Sequence, residues 1–333
     1  METTPNIKIA VLGAGHLGSI HTRLWKTAAN AELIGIYEPN QAQAQKVADE
    51  NGVRAFDTVA DAIEHADAVT ISAPTSAHYE LAVQAITAGK HCFIEKPITA
   101  TYVEAEALIA LAREKNVLVQ VGHVERFNPG LAALHGYHIA PLFIEAHRLA
   151  QFKPRATDVS VVLDLMIHDI DIALSLVQSP VVSIDAHGVA VLTETPDIAN
   201  ARIKFANGCV ANLTASRISA QPMRKMRLFQ KDAYLSVDFA KGSVEVYRIL
   251  DEGEETSAAV PAMMLGSIDA GSVKKSIVYE QPISPAVNAI AEEQKAFINA
   301  ILGHSPIAVS AVDAAEALRI AEAIAMAIEQ SRV

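Results

Sequence analysis

The stretch IKIAVLGAGHLG, residues 7–18, runs from a short apolar segment into Gly13, Gly15 and Gly18, then into a helical pattern continuing to Ala29. A brief apolar run ending at glycine reads as a strand buried on both faces. Glycines spaced GxGxxG between strand and helix suit a turn that receives a pyrophosphate. The first permits the tight turn, the second lets backbone approach the phosphates, and the third allows close helix–strand packing. The helix start, which includes His16 and Leu17, adds free N–H donors and a partial positive charge. Alone the pattern is weak, because glycine triplets also occur in plain turns.

Glu38 adds to it. It follows the second apolar run, ELIGIY (32–37), twenty residues after Gly18. An acid at that place accepts hydrogen bonds from an adenosine ribose. It also repels a 2′-phosphate, and no arginine follows in PNQAQAQ (39–45), which favours NAD over NADP. A solvated strand end is the other reading of Glu38.

Working outward, apolar runs at DAVTISA (67–73), HCFIE (91–95) and VLVQVG (117–122) alternate with helical stretches at 41–50, 76–88 and 102–115. That alternation predicts an α/β fold: an N-terminal Rossmann domain over 1–122, with a doubly wound parallel sheet. After Gly122 the strands become neighbours, at 183–193, 200–206, 209–218, 226–230, 233–239 and 244–250. Asn207-Gly208 favours a type I′ hairpin, and Lys241-Gly242 marks another turn. Helical patterns lie at 160–178 and near 286–302 and 311–330, and residues 251–272 read as a mobile surface loop. The expectation for 123–333 is an α+β domain with a large, mostly antiparallel open sheet, serving substrate binding and oligomerisation.

The chain has 333 residues, is 51% hydrophobic and 20% charged, and carries a net charge of −11, so it fills a substantial core. That charge argues against nucleic acid or an anionic membrane as partner. Two distant cysteines, Cys92 and Cys209, give no disulfide framework or zinc spacing and suit a reducing compartment. METTPNIKIAVLGAG lacks signal-peptide features and no apolar run approaches a membrane span, so a soluble, cytoplasmic protein is expected.

LDLMIHDIDI (163–172) is apolar on most faces, which marks a buried helix. At about 100° per residue, Asp164, His168, Asp171 and Ser175 share one stripe while Asp169 lies opposite. A histidine braced by a carboxylate one turn earlier can take a proton near neutrality. A buried polar knot is the other reading of that stripe. Asp169, off the stripe, is expected to hold a helix–sheet or interdomain hydrogen bond. Lys96 stands at the carboxyl end of a strand, where open α/β sheets bind ligands, and Pro97 fixes the backbone after it, through a cis bond in one reading. A surface lysine paired with Glu95 is the plain alternative. Glu125 and Arg126 read either as an ion pair or as contacts to substrate or cofactor, together with Asn128. Lys153 and Arg155 read as a diphosphate grip or as solvated loop charges.

Gly13–Gly18, Thr75 with His78, Glu95-Lys96-Pro97, and Asp164 four before His168 together resemble the Gfo/Idh/MocA oxidoreductases over the whole chain. GHVERFNP (122–129) with LDLMIHDID (163–171) narrows the resemblance to members that oxidise C3 of UDP-N-acetylglucosamine, including those that begin diamino-sugar formation for lipid A. The resemblance implies NAD as cofactor, with Pro74, Thr75, His78, Glu95 and Lys96 beside the nicotinamide end. It implies Lys96, Asp164 and His168 as the catalytic set, with His168 as acid/base. Substrate contacts are expected from Arg126, Asn128, Lys153, Arg155 and Asp171, in a cleft between the domains. No metal is expected, and a homodimer or homotetramer is, through the open sheet face. Many members carry glycine where this chain has Met166. Two rival functions remain: oxidation of a free polyol such as inositol or of a UDP-sugar uronate, and a non-catalytic NAD-binding sensor.

Overall fold

The computed structural model describes residues 6–153, 159–251, 260–270 and 273–331. Two compact units emerge: Met1–Val124 with Val287–Arg319, and Glu125–Ala286 with Ile320–Val333.

The first unit alternates strand and helix: β1 (Ile7–Leu12), α1 (His16–Trp25), β2 (Ala31–Tyr37), α2 (Gln41–Asn51), β3 (Arg54–Ala55), α3 (Val59–His65), β4 (Ala68–Ile71), α4 (Thr75–Thr87), β5 (His91–Glu95), α5 (Tyr102–Lys115) and β6 (Val119–Gly122). The six strands are parallel in the order β3-β2-β1-β4-β5-β6. The order reverses between β1 and β4, and ligands of such sheets bind outside the strand ends at that switch point. Helix limits follow local chemistry. Asn40 caps α2 by accepting the Gln43 N–H, Gly52 ends it in the left-handed region, and Thr101 with Glu104 forms a capping box on α5.

Helix α8 (Ala289–Ile301) also belongs to this unit. Its Phe297 and Ile298 share a core cluster with Trp25, Ile36 and Phe93, and the Phe93 and Phe297 rings pack edge-on at 5.9 Å. Downstream, the Val121 N–H donates to the Val309 carbonyl. The sequence reading kept all of 123–333 together; residues 287–319 instead return to the first unit because the apolar face of α8 packs against α1 and β5.

The second unit contains α6 (Pro129–Ala132), β7 (Phe143–Leu149), a π-helical turn at Val162–Met166 continuing into α7 (Ile167–Val177), and then β8 (Val181–Val189), β9 (Ile198–Phe205), β10 (Val210–Ser216), β11 (Met223–Phe229), β12 (Ala233–Asp238), β13 (Ser243–Leu250), β14 (Ala262–Ala270) and β15 (Val273–Glu280). Helix α9 (Ala311–Ser331) is divided between the units. The sheet runs β14-β15-β13-β12-β11-β7-β10-β9-β8, antiparallel except for the β7–β10 pair.

Two local expectations change, and one strand goes unread in the sequence. Residues 262–270, read as part of a mobile loop, form β14; residues 252–259 and 271–272 of that stretch lie outside the described residues. A bulge between Met264 and Gly266 interrupts the period-two signal there. Strand β7 gives little sequence signal because one of its inward positions is Arg148, not an apolar residue. The β9–β10 turn is not type I′. Phe205 pairs with Cys209 across a three-residue loop in which Gly208, at φ +89, takes positive φ and Asn207 does not.

Candidate active site

The glycine turn lies at the switch point. Gly13 has φ +96, and a Cβ there would meet the Ala73 backbone nitrogen at 2.7 Å. A Cβ on Gly18 would collide with the Gly13 carbonyl oxygen. Above Gly15 the space is open, with no atom within 4 Å of a built Cβ. Gly15 is the N-cap of α1 and has no side chain to satisfy the helix amides. An opening beside uncapped N–H groups fits a pyrophosphate. His16 and Leu17, on the first turn of α1, are exposed.

Glu38 folds back on this turn. Its carboxylate accepts the Ala14 N–H at 2.9 Å and the Asn40 N–H at 3.2 Å, while the Gln43 amide donates to the Ala14 carbonyl. An acid is thus held at the end of β2 beside the glycine turn. Pro74 caps α4, and Thr75 begins it, half-buried. His78 is buried, with Nδ1 2.9 Å from the Pro97 carbonyl and Nε2 2.9 Å from that of Ala73. Burial lowers its pKa against the pull of those carbonyls and the Glu95 charge. Its ring contacts are therefore to backbone, tying the start of α4 to the turn after β5. Lys96 is half-buried on that turn, and the Lys96–Pro97 peptide is cis.

In the second unit the catalytic candidates stand on the π-helical turn and α7. Asp164 and His168 are both half-buried, four positions apart, and the Asp164 N–H donates to the Ser160 carbonyl. A π turn fits an extra residue into the helix, so the simple 100° stripe does not run unbroken from Asp164 to Ser175. Such turns recur at functional sites. Met166 is fully buried, so it fills core.

The remaining charges are tightly organised. Arg126 chelates Asp171 through Nε and Nη2 at 2.7 and 2.8 Å. Arg148 of β7 grips Asp169 through two bonds, at 3.0 and 2.9 Å, and donates to Glu125 at 2.8 Å. All three are buried. Burial disfavours the Arg148 cation, but the two carboxylates outweigh it and hold the charge on firmly. Asp169 therefore makes a helix–sheet bond. The partner of Glu125 is Arg148, and that of Arg126 is Asp171, so the simple Glu125–Arg126 pair is replaced by two crossing ones. Asn128 caps α6 through the Gly130 N–H and donates to Glu125 and the Phe239 carbonyl, which is a structural role. Lys153 is exposed, and Arg155 lies outside the described residues. Sequence reasoning missed Arg148, because the strand that carries it was not read as a strand and nothing else marks the arginine as inward-facing. Among the described residues no cluster of His, Cys, Asp or Glu is arranged to hold a metal, and no helix is long and apolar enough to cross a membrane.

Comparison with known proteins agrees with this geometry. Residues 7–123 match the Gfo/Idh/MocA oxidoreductase model with its NAD-binding Rossmann fold, and residues 137–245 match the Gfo/Idh/MocA C-terminal domain. The chain is 38% identical to a UDP-N-acetylglucosamine 3-dehydrogenase of Acidithiobacillus ferrooxidans over 97% of its own length and 98% of the other's. A solved structure of that enzyme superposes with a TM-score of 0.86 at 36% identity, covering 98% of both chains. A scyllo-inositol 2-dehydrogenase (NAD(+)) of Bacillus subtilis is 30% identical over 64% of this chain and 68% of that protein. The chain belongs to the Gfo/Idh/MocA oxidoreductases, and its cofactor is NAD.

Proposed function

We propose that the protein oxidises the C3 hydroxyl of UDP-N-acetylglucosamine to a ketone with NAD. The observation that carries this reading is the similarity to a UDP-N-acetylglucosamine 3-dehydrogenase over nearly the full length of both chains, at 38% identity. Bound NAD supplies the acceptor for the hydride that leaves C3. His168 takes the hydroxyl proton on a ring nitrogen, and Asp164, one turn earlier, orients the imidazole and favours its cation. Lys96 stabilises the negative charge that develops on the oxygen. The products are the 3-keto sugar, NADH and one proton. Pro74 and Thr75 at the head of α4, with Glu95 and Lys96, border the nicotinamide end, while His16, Leu17 and Glu38 serve the pyrophosphate and ribose.

Lys153 and Arg155 are the cations assigned to the sugar's diphosphate. Arg126 and Asp171 enter as a pair: their mutual chelation sets the charge and shape presented to the sugar without leaving either ion unmatched. A 3-keto sugar is ready for amination, so the reaction suits the opening of a diamino-sugar route such as that to lipid A, in the cytoplasm. Similarity to inositol dehydrogenases supports a second reading, oxidation of a free polyol, over a shorter part of the chain.

Assembly into a dimer or tetramer is part of the same reading. Phe143, Phe229, Tyr234, Tyr247 and Tyr279 form one row across β7, β11, β12, β13 and β15, with neighbouring rings 5.0–5.9 Å apart. Phe229 is 38% exposed. A continuous, partly exposed aromatic row on a sheet face suits a second copy of the chain, and light scattering should give a mass of two or four chains; a monomer would remove that part.

The test of substrate is NADH formation across a panel of UDP-sugars and free inositols. UDP-N-acetylglucosamine should give the highest kcat/KM by at least about tenfold. Inertness toward every nucleotide sugar, with turnover of inositol, would select the second reading.

A further inference from the structure

At the end of β5 the Glu95 side chain turns into the first unit and is buried. His21 Nε2 of α1 lies 2.7 Å from Glu95 Oε1, and the Lys96 N–H donates to Oε2 at 3.2 Å. Gly122 on β6 makes room: a Cβ there would stand 3.0 Å from the carboxyl carbon. Behind His21, the Gln294 amide of α8 donates to the His21 carbonyl oxygen at 3.2 Å and lies 3.1 Å from Nδ1. A nitrogen facing a carbonyl must be the NH2 side of that amide. Nδ1 therefore accepts, and the imidazole proton sits on Nε2, directed at Glu95.

A well-packed apolar cluster would serve stability at this place at least as well as a buried polar line. The line instead runs from α8 through α1, the helix with the open N-terminus at Gly15, to the residue before Lys96. We propose that His21 and Gln294 are positioning residues for Lys96, acting through Glu95. They fix the turn that carries the lysine and keep a carboxylate charge beside it. The inference rests on the role given to Lys96 above.

The titratable groups facing Glu95 are His21 from α1, Lys96 from its own turn and His78 from α4. Burial opposes the Glu95 carboxylate, but the His21 hydrogen bond, the Lys96 charge and the Lys96 N–H outweigh it and hold its pKa below the usual value. Without the His21 donor, burial prevails and that pKa rises. A depressed carboxylate keeps its charge until the pH falls through its pKa, so the charge beside Lys96 is then lost at a higher pH than in the wild type.

The test is the pH profile of Lys96 acylation by an amine-selective ester, read by peptide mass spectrometry, with exposed Lys26 and Lys46 as internal standards. In Glu95→Gln the attraction that favours the ammonium is weakened, so Lys96 should label about threefold faster or more wherever the wild-type carboxylate is charged and the lysine is still mostly protonated. His21→Leu should follow the wild type at alkaline pH and join Glu95→Gln as the pH falls. His21→Gln, which retains an N–H donor, should follow the wild type further down. A structural role alone would lower the melting temperature and leave these profiles together. If His21→Leu does not melt cooperatively, Glu95→Gln and His21→Gln carry the comparison. Lys96 profiles indistinguishable from wild type would overturn the proposal. The readout needs no substrate, so shifted profiles with inertness toward UDP-N-acetylglucosamine would overturn only the substrate reading.

Discussion

Gly15 and Gly18 stand three positions apart and fail in different ways when a methyl group is added. Gly15 has φ −67, which alanine accepts, and its Cβ would enter open space. Gly15→Ala should therefore keep the thermal midpoint within roughly 2–4 °C of wild type. NAD affinity should fall about tenfold or more, since the methyl occupies the opening proposed for the pyrophosphate. Gly18→Ala drives a methyl into the Gly13 carbonyl and should destabilise the unit itself, by about 1–3 kcal/mol or more. Calorimetry with and without NAD separates the two; equal effects of both variants on stability would contradict the assignment. The open space at Gly15 and the close approach at Gly18 were legible in the sequence because spacing along one turn determines them. The partners of His21 and Arg148 were not, because Glu95, Gln294 and Asp169 are remote in sequence and no local pattern couples them.

Among elements, those with a clean period were the readable ones. Five of the six parallel strands and the helices after four of them announced themselves by alternation; the two-residue β3 and the short α3 did not, β14 lost its signal to a bulge and β7 to an inward arginine. The helix carrying Asp164 and His168 was legible as a buried helix, but its π turn was not, since a change in hydrogen-bond register leaves no compositional trace. The loop between β8 and β9 offers a test at this scale. Asp197 is fully enclosed and accepts the N–H groups of Val191, Leu192 and Thr193 and the Thr193 hydroxyl. Burial opposes its ionisation, yet these donors outweigh it and pull the pKa from 3.8 to about 2. A depressed carboxylate adds stability that is present above its unfolded pKa and lost as the pH falls through the folded one. Between pH 3.8 and about 2 the melting temperature should drop more steeply in wild type than in Asp197→Asn, which should start lower at neutral pH. Parallel curves would show that the amides do not hold a charge there.

At the scale of the whole molecule, the sequence divided the chain once, near Gly122, while the structure divides it three times and returns 287–319 to the first unit. Sequence order could not show this, because α8 is amphipathic and would suit either core; only Trp25 and Phe93 decide where it packs. The matched family domains lie on both sides of the first division, at 7–123 and 137–245, and the chemistry proposed draws on residues of both units. Its centre is a histidine that removes a sugar proton while NAD, held by the first unit, accepts the hydride. The most direct measurement is NADH formation from UDP-N-acetylglucosamine by the wild type and His168→Ala, alongside NAD affinity for each. The account predicts turnover in the wild type, a loss of kcat of about 10²–10⁴-fold in His168→Ala, and NAD affinity unchanged within about twofold. Undiminished turnover in His168→Ala would contradict it.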